Sequence, residues 1–267
     1  MKRFIPFVTK DPVVSVISLS GVIAASPRGG TLADSALAPA IERAFFRAKP
    51  RAVALVINSP GGSPTQSSLI AARIRRLAEE KNIPVHAFVE DVAASGGYWL
   101  ACAADDIWVD ANSIVGSIGV ISAGFGFVDA IARIGVERRL YTAGQDKSLL
   151  DPFRPEDPQD VARLRAIQDQ IHDAFITHVK TRRGDRLSTD HDLFTGQFWA
   201  GQRAVDLGLA DGVAHIVPKL KSLYGDKVRF QRFGPKRGLF QRFGASLTAE
   251  LTGGIEDRAL WSRFGLS

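Results

Sequence analysis

Cysteine and long apolar runs are both scarce in this chain. Cys102 is the single cysteine in 267 residues, so no disulfide can form within the chain, and a reducing compartment is the natural interpretation. No run of about 18 consecutive apolar residues occurs, so no membrane-spanning helix is predicted. The N-terminus starts with basic residues, as a signal peptide does, but Pro6, Lys10 and Pro12 interrupt its apolar stretch. We therefore expect a cytoplasmic chain that meets a membrane, if at all, only peripherally.

Positive charge is concentrated near the C-terminus. The net charge is +6, yet residues 219–244 hold eight basic residues and one acid, a net of about +7. The remaining chain is near neutral, and no nucleic-acid-binding motif occurs, so we expect no nucleic-acid partner. The sequence Phe-Gln-Arg-Phe-Gly at 230–234 recurs at 240–244. This predicts a main body, 1–218, and a basic tail, 219–267.

Three interpretations of the tail remain open. Phenylalanine and arginine together suit the surface of an anionic membrane, which predicts membrane contact through residues 219–244. The phenylalanines could instead be buried on a neighbouring subunit while the arginines reach outward to water; these are Phe230, Phe233, Phe240 and Phe243. The third interpretation is disorder.

Short apolar runs alternate with segments of helical periodicity along the body. This alternation predicts an α/β fold with a parallel sheet. The predicted strands are Val13–Leu19, Ala52–Ile57, Pro84–Val89, Ile107–Val109, Ser117–Ile121 and Glu137–Tyr141. The predicted helices are Leu37–Ala48, Pro64–Glu80, Tyr98–Ala104, Val128–Ile134, Pro158–Gly184 and Phe198–Gly212.

Two strand-to-helix turns carry the residues that suit chemistry. Asn58–Gly62 and Ala94–Gly97 each follow an apolar strand and precede a helix. Sites in α/β folds gather at the carboxyl ends of strands, and helix N-termini offer unpaired N–H donors. These turns therefore predict an oxyanion hole at Gly61 and Gly62 and a nucleophile at Ser95. The plainer interpretations are a tight turn and a helix N-cap.

A nucleophilic serine needs a base, and the residues alone do not select one. The five histidines have no acid partner arranged by sequence; they are His86, His172, His178, His191 and His215. A lysine acts as a base only when burial lowers its pKa from about 10.4 toward 7–8, and most lysines, Lys147 included, are expected on the surface. Cys102 lies in an apolar helix without an activating partner, which disfavours it as a nucleophile.

An ordered set of motifs resembles the signal peptide peptidase A family, the SohB-like serine peptidases. The motifs are Asn58–Gly62, Ala94–Trp99, Gly116–Val120, Gly144–Lys147 with Pro152-Phe153, and Gly196–Asp211. The resemblance covers residues 13–218. It implies a fold of the type shared by Clp peptidases and crotonases, a spiral of ββα units in a short, single-repeat form.

The resemblance also implies roles for individual residues. Ser95 matches the nucleophile, Lys147 the general base and Gly61 the oxyanion-hole glycine. The implied reaction is endopeptidase hydrolysis of signal-peptide remnants or unfolded apolar-rich polypeptides, with no metal or cofactor. The implied assembly is a homo-oligomeric ring in which serine and lysine meet across a subunit boundary. A groove lined by Ile118, Val120 and Ile121 would suit apolar substrates.

Two other functions fit the same sequence. A crotonase-like acyl-CoA enzyme would use a similar oxyanion hole with a carboxylate base, and would keep thioester activity after Ser95→Ala. An inactive membrane-associated scaffold would not react with a serine-directed probe.

Overall fold

One mixed sheet organises the molecule in the computed structural model, which describes residues 11–25, 31–47, 49–144, 146–234 and 258–266. The strands are β1 Val13–Ser20, β2 Ala52–Ser59, β3 Val85–Ala94, β4 Asp106–Val109, β5 Ile114–Gly116, β6 Phe198–Ala200, β7 Gly212–Val213 and β8 Arg229–Phe233. The helices are α1 Asp34–Phe46, α2 Pro64–Lys81, α3 Gly96–Ala101, α4 Val128–Arg133, α5 Pro158–Arg183, α6 Gly201–Asp206 and α7 Ile216–Tyr224.

The sheet order is β6-β5-β3-β2-β1-β8, and β4 pairs with both β3 and β7. Every pairing is parallel except that of β5 with β6. The long strand β3 pairs with β4 through its first half and with β5 through residues 92–94. Because the strands run parallel, their carboxyl ends and the turns that follow β2 and β3 come together at one edge.

The main core lies between the sheet and the helices α1, α2 and α3. Ile17, Leu55 and Ile57 from the strands pack with Ile70 and Ile74 of α2, all fully buried. Helix α2 begins as its sequence predicts: Pro64 is its first residue, and the Ser63 hydroxyl accepts a hydrogen bond from the Gln66 N–H. A smaller cluster on the opposite face includes Leu220 of α7 and Val228.

Several predicted elements differ from the observed ones. The strand predicted at Ser117–Ile121 is wrong: β5 ends at Gly116, whose φ is +109°, and Ser117, with φ +53°, turns the chain out of the sheet. The strand predicted at Glu137–Tyr141 is wrong as well, because this exposed segment has no strand to pair with among the described residues. The helix predicted over Phe198–Gly212 contains β6 before α6.

The basic tail enters the fold where it is described. Helix α7 begins at Ile216 and spans the boundary predicted after residue 218, and β8 pairs with β1 in parallel. Phe233 is buried in its own chain and Phe230 is partly buried, whereas Phe240 and Phe243 lie outside the described residues. Near the C-terminus, Phe264 packs on Val92 and Ala94 of β3.

Candidate active site

Ser95 occupies the turn between β3 and α3, at the carboxyl edge of the sheet. Its φ and ψ are 51° and −121°, a region that residues with a side chain rarely adopt. Its N–H donates to the Gly116 carbonyl at 2.8 Å, and its carbonyl accepts from the Tyr98 N–H at 2.9 Å. The side chain makes no capping hydrogen bond, although the residue occupies the N-cap position. The backbone of Ser95 is thus fixed on both sides, while its hydroxyl has no hydrogen-bond partner among the described residues.

The turn after β2 packs directly on this serine. A Cβ atom added to Gly61, whose φ is +103°, would lie 2.8 Å from both the Ala94 carbonyl oxygen and the Ser95 Cβ. Gly97 lies even closer to the turn after β2, since a Cβ atom added to Gly97 would lie 2.5 Å from the Ser59 carbonyl oxygen. Glycine is required at these positions because any side chain would push the two turns apart.

Of the two N–H groups predicted as oxyanion donors, those of Gly61 and Gly62, one has an acceptor within the described chain. The Gly61 N–H donates to the Ser59 hydroxyl at 3.2 Å, so it already has an acceptor. Two 2.8 Å hydrogen bonds from the Ile23 N–H to the Gly61 oxygen and from the Ser63 N–H to the Ile23 oxygen fix the Gly62 backbone. Across the described part of the chain, nothing accepts from the N–H of Gly62 or from that of Gly96, the first residue of α3. The sequence analysis did not predict Gly96 as an N–H donor. Its position immediately after Ser95, at the N-terminus of a helix, could have indicated that its N–H is free.

The three residues predicted to contact substrate differ in how far their side chains are buried. The Ile118 side chain is fully buried in the core, Val120 is half-buried, and Ile121 is 64% exposed. The Ser117 N–H donates to the Gln197 carbonyl at 2.6 Å, which fixes the start of this segment. Of these three predicted residues, Val120 and Ile121 therefore have side chains that solvent or another molecule can reach.

Lys147 lies in an exposed turn that is attached to the beginning of α5. Its neighbour Asp146 pairs with Arg163 at 2.7 Å, and the Leu150 N–H donates to an Asp160 oxygen at 3.3 Å. Within the described residues the Lys147 ammonium has no ion pair or hydrogen bond, whether to Ser95 or to any other residue. The described residues of a single chain thus show no hydrogen bond between the predicted pair.

None of the five histidines is hydrogen-bonded to Ser95. His86 contacts Asp106 and Tyr224, His191 contacts Arg203, and His215 contacts Asp110. His172 and His178 lie on α5 and contact the carbonyls of Ile118 and Trp99. Burial lowers the pKa of His178; the Trp99 carbonyl opposes this effect and the nearby Arg182 adds to it. The arrangement offers no Ser-His pair.

Cys102 is no alternative nucleophile. Its side chain is fully buried on the C-terminal side of α3, and that burial raises the pKa of the thiol to about 12 despite nearby arginines. The reactive thiolate is therefore nearly absent at neutral pH.

Comparison with known proteins identifies the family. The model of peptidase family S49 matches residues 77–223, more than half of the chain. The putative signal peptide peptidase SppA of Enterococcus faecium is 28% identical over 66% of this chain and 51% of its own length. The solved structure of a membrane-bound stomatin-specific protease, 1510-N, a mutant in complex with a substrate peptide, superposes with a TM-score of 0.51 at 16% identity, covering 93% of this chain and 99% of that chain. That likeness confirms the α/β fold of the ClpP/crotonase type.

One relative has an unrelated name. A Brucella melitensis protein named Na(+)/H(+) antiporter NhaA is 46% identical over the whole of this chain, which matches 39% of that protein. Of the described helices, none has the length and apolar character needed to cross a membrane. This chain spans about two fifths to one half of the length of these two relatives. From the match over residues 77–223, the chain belongs to peptidase family S49.

Proposed function

We propose that this chain is a serine endopeptidase in which Ser95 is the nucleophile and Lys147 the general base. The observation that carries the proposal is the strained Ser95 turn, whose hydroxyl has no partner and which lies against Gly61. Lys147 takes the hydroxyl proton as Ser95 attacks the peptide carbonyl, and then returns it to the leaving amine. The N–H groups of Gly62 and Gly96 hold the oxyanion, and Gly61 keeps the two turns in contact. The reaction requires no metal or cofactor.

The base comes from a second copy of the chain. The Lys147 turn is attached to α5 at Asp160 and Arg163, whereas α5 reaches the nucleophile helix α3 at His178. Fifteen residues of helix separate Arg163 from His178, about 22 Å at 1.5 Å per residue. This spacing supports a lysine held away from its own serine and presented to a neighbour in a homo-oligomeric ring.

Exposed apolar side chains in the stretch of chain that contains Lys147 support the same assembly. Within residues 121–153, four large side chains are more than 60% exposed: Ile121, Phe125, Ile134 and Tyr141. Apolar surface of this kind is a common mark of a protein–protein contact. A neighbouring subunit that covered it would also remove water from Lys147, the condition under which a lysine becomes a base.

Unfolded apolar-rich polypeptides, including signal-peptide remnants, are the proposed substrates. Val120 and the exposed Ile121 lie beyond the Ser95 turn and would contact apolar side chains of an extended peptide. The Enterococcus faecium relative named as a putative signal peptide peptidase supports this substrate class. Membrane contact through residues 219–244 stays a prediction, since residues 235–257 lie outside the described residues.

Mixing two inactive variants tests both the dyad and its assembly. Ser95→Ala and Lys147→Ala should each abolish hydrolysis of a quenched fluorescent peptide with an apolar centre, while circular dichroism stays unchanged. When the two variants are unfolded together and refolded, a dyad across the boundary should restore about a quarter of the wild-type rate, since one boundary in four pairs a serine with a lysine.

Three outcomes would contradict the proposal in different ways. No recovery on mixing, with each variant assembling normally, would place both residues in one chain. Full activity of either single variant would remove that residue from the mechanism. A wild-type chain that neither hydrolyses the peptide nor reacts with a fluorophosphonate probe would favour the scaffold.

A further inference from the structure

Side chains from the C-terminal half of α5 hydrogen-bond to main-chain carbonyls at the end of α3, the helix that begins directly after Ser95. The His178 Nε2 lies 3.1 Å from the Trp99 carbonyl oxygen. One turn later, the Arg182 Nε lies 2.9 Å from the Cys102 oxygen, and a terminal nitrogen of the same side chain lies 2.9 Å from the Ala104 oxygen. Carbonyls at a helix C-terminus have no intrahelical partner, so these side chains supply the missing donors.

Helix α3 depends on such support because it has only six residues. A helix this short is not stable by its own backbone hydrogen bonds. Trp99 contributes the apolar part of the contact: its rings stack on Phe175 at 4.9 Å and on His178 at 4.8 Å between centroids. Since Ser95 immediately precedes α3, a shift at Trp99 moves the nucleophile.

His172 makes the corresponding contact on the other side of Ser95. Its Nε2 lies 3.1 Å from the Ile118 carbonyl oxygen. Ile118 is two residues beyond Gly116, whose carbonyl accepts the Ser95 N–H, and it precedes Val120 and Ile121. His172 therefore fixes the segment that would lie along the substrate.

The protonation of both rings follows from their acceptors. A carbonyl oxygen accepts only, so Nε2 carries the hydrogen in both histidines. Neither ring contacts the Ser95 hydroxyl, which excludes both as a base within the chain. Their nitrogens donate to main-chain atoms on either side of the nucleophile.

We propose that His178 and His172 are positioning residues with separate duties: His178 fixes the nucleophile and His172 fixes the substrate segment. This inference rests on the proposed function of Ser95. If the two histidines only stabilised the fold, their loss would not affect kcat and KM separately. Loss of the His178 donor lowers kcat, whereas loss of the His172 donor raises KM.

The test compares two replacements at each position in the full chain. Glutamine keeps an N–H donor of similar reach, and phenylalanine keeps a ring but has no donor. His178→Phe should lower kcat and the rate of fluorophosphonate labelling about tenfold, with KM nearly unchanged, because a displacement well under 1 Å is enough for such a loss. His172→Phe should raise KM about tenfold with kcat nearly unchanged. Both glutamine variants should stay within about threefold of wild type.

A control variant and thermal unfolding separate positioning from stability. His191→Phe replaces an exposed histidine that contacts Arg203 and should leave kcat and KM unchanged. If His178→Phe does not fold, His178→Leu serves as a smaller donor-free side chain. The inference is overturned if donor-free variants lose thermal stability but keep wild-type kinetics, or if kcat and KM change together at both positions. A wild-type chain that the probe does not label at Ser95 would overturn the proposed function, and this inference with it.

Discussion

Replacing Gly61 with alanine should damage the site at Ser95 more than the fold around it. The added Cβ would lie 2.8 Å from the Ala94 oxygen and from the Ser95 Cβ, and 2.9 Å from the Gly96 nitrogen. Ordinary contact begins near 3.4 Å, so the Ser95 turn must move by about 0.6 Å. A 1 Å displacement of a catalytic group can reduce the rate about a hundredfold, which makes about tenfold the expected loss of kcat here.

Backbone strain adds a loss of stability that a matched control can measure. At a φ of +103°, a residue with a Cβ costs on the order of 1–2 kcal/mol. Gly225 has a φ of +91° and no atom within 4 Å of an added Cβ, so Gly225→Ala carries the strain without the contact. Both variants should unfold at lower urea concentration, and only Gly61→Ala should lose peptide hydrolysis and probe labelling. Equal kinetics for the two variants would refute the argument that Gly61 positions Ser95.

Other expectations follow from buried charges and from the thiol. Arg183→Met should lower the free energy of unfolding by about 2–3 kcal/mol in urea titrations, because it removes the 2.7 and 3.2 Å contacts to Asp211 and leaves that carboxylate with the Ile107 N–H and Arg186 as its described partners; a loss below about 1 kcal/mol would contradict this. Burial raises the pKa of Asp211, but Arg183, the Ile107 N–H and Arg186 together more than offset this effect, so the folded pKa lies below the ordinary value of 3.8. The ion pair should therefore stabilise the protein above about pH 4 and lose its effect as the pH falls further, with Asp211→Asn as the pH-insensitive reference. Cys102 should resist iodoacetamide at pH 8 until the chain is unfolded, as read by mass spectrometry, and rapid native labelling would contradict its burial.

Local signals in the sequence predicted much of the fold. The apolar strands before the two turns, the Ser63 cap and the Pro64 start of α2 are all observed. The long helix predicted from Pro158 matches α5. These elements depend on neighbours along the chain, such as apolar runs, caps and helix-starting prolines, and for that reason their sequence is enough.

Predictions that depended on what an element packs against were less accurate. Six apolar residues recur at helical spacing along α5 and predict one buried face: Val161, Leu164, Ile167, Ile171, Phe175 and Val179. Of these six, only Phe175 and Val179 are buried, while Ile167 is 49% exposed. The segment 137–141 has strand-like residues and no strand beside it among the described residues. A sequence pattern records which faces are apolar and carries no information on whether the same chain covers them.

In the candidate site, too, some features follow from the local sequence and others only from the folded structure. The sequence by itself determined that Ser95 follows a buried strand in a glycine-rich turn, and its motifs marked Lys147 and Gly61 by resemblance. Tertiary structure alone decided that Gly61 lies against the serine, that the N–H groups of Gly62 and Gly96 have no acceptor among the described residues, and that α5 contacts the chain at Ile118 and at Trp99. The reason is physical: turns and caps form between residues a few positions apart, whereas these contacts join residues 30 to 80 positions apart and exist only once the sheet has aligned its strand ends.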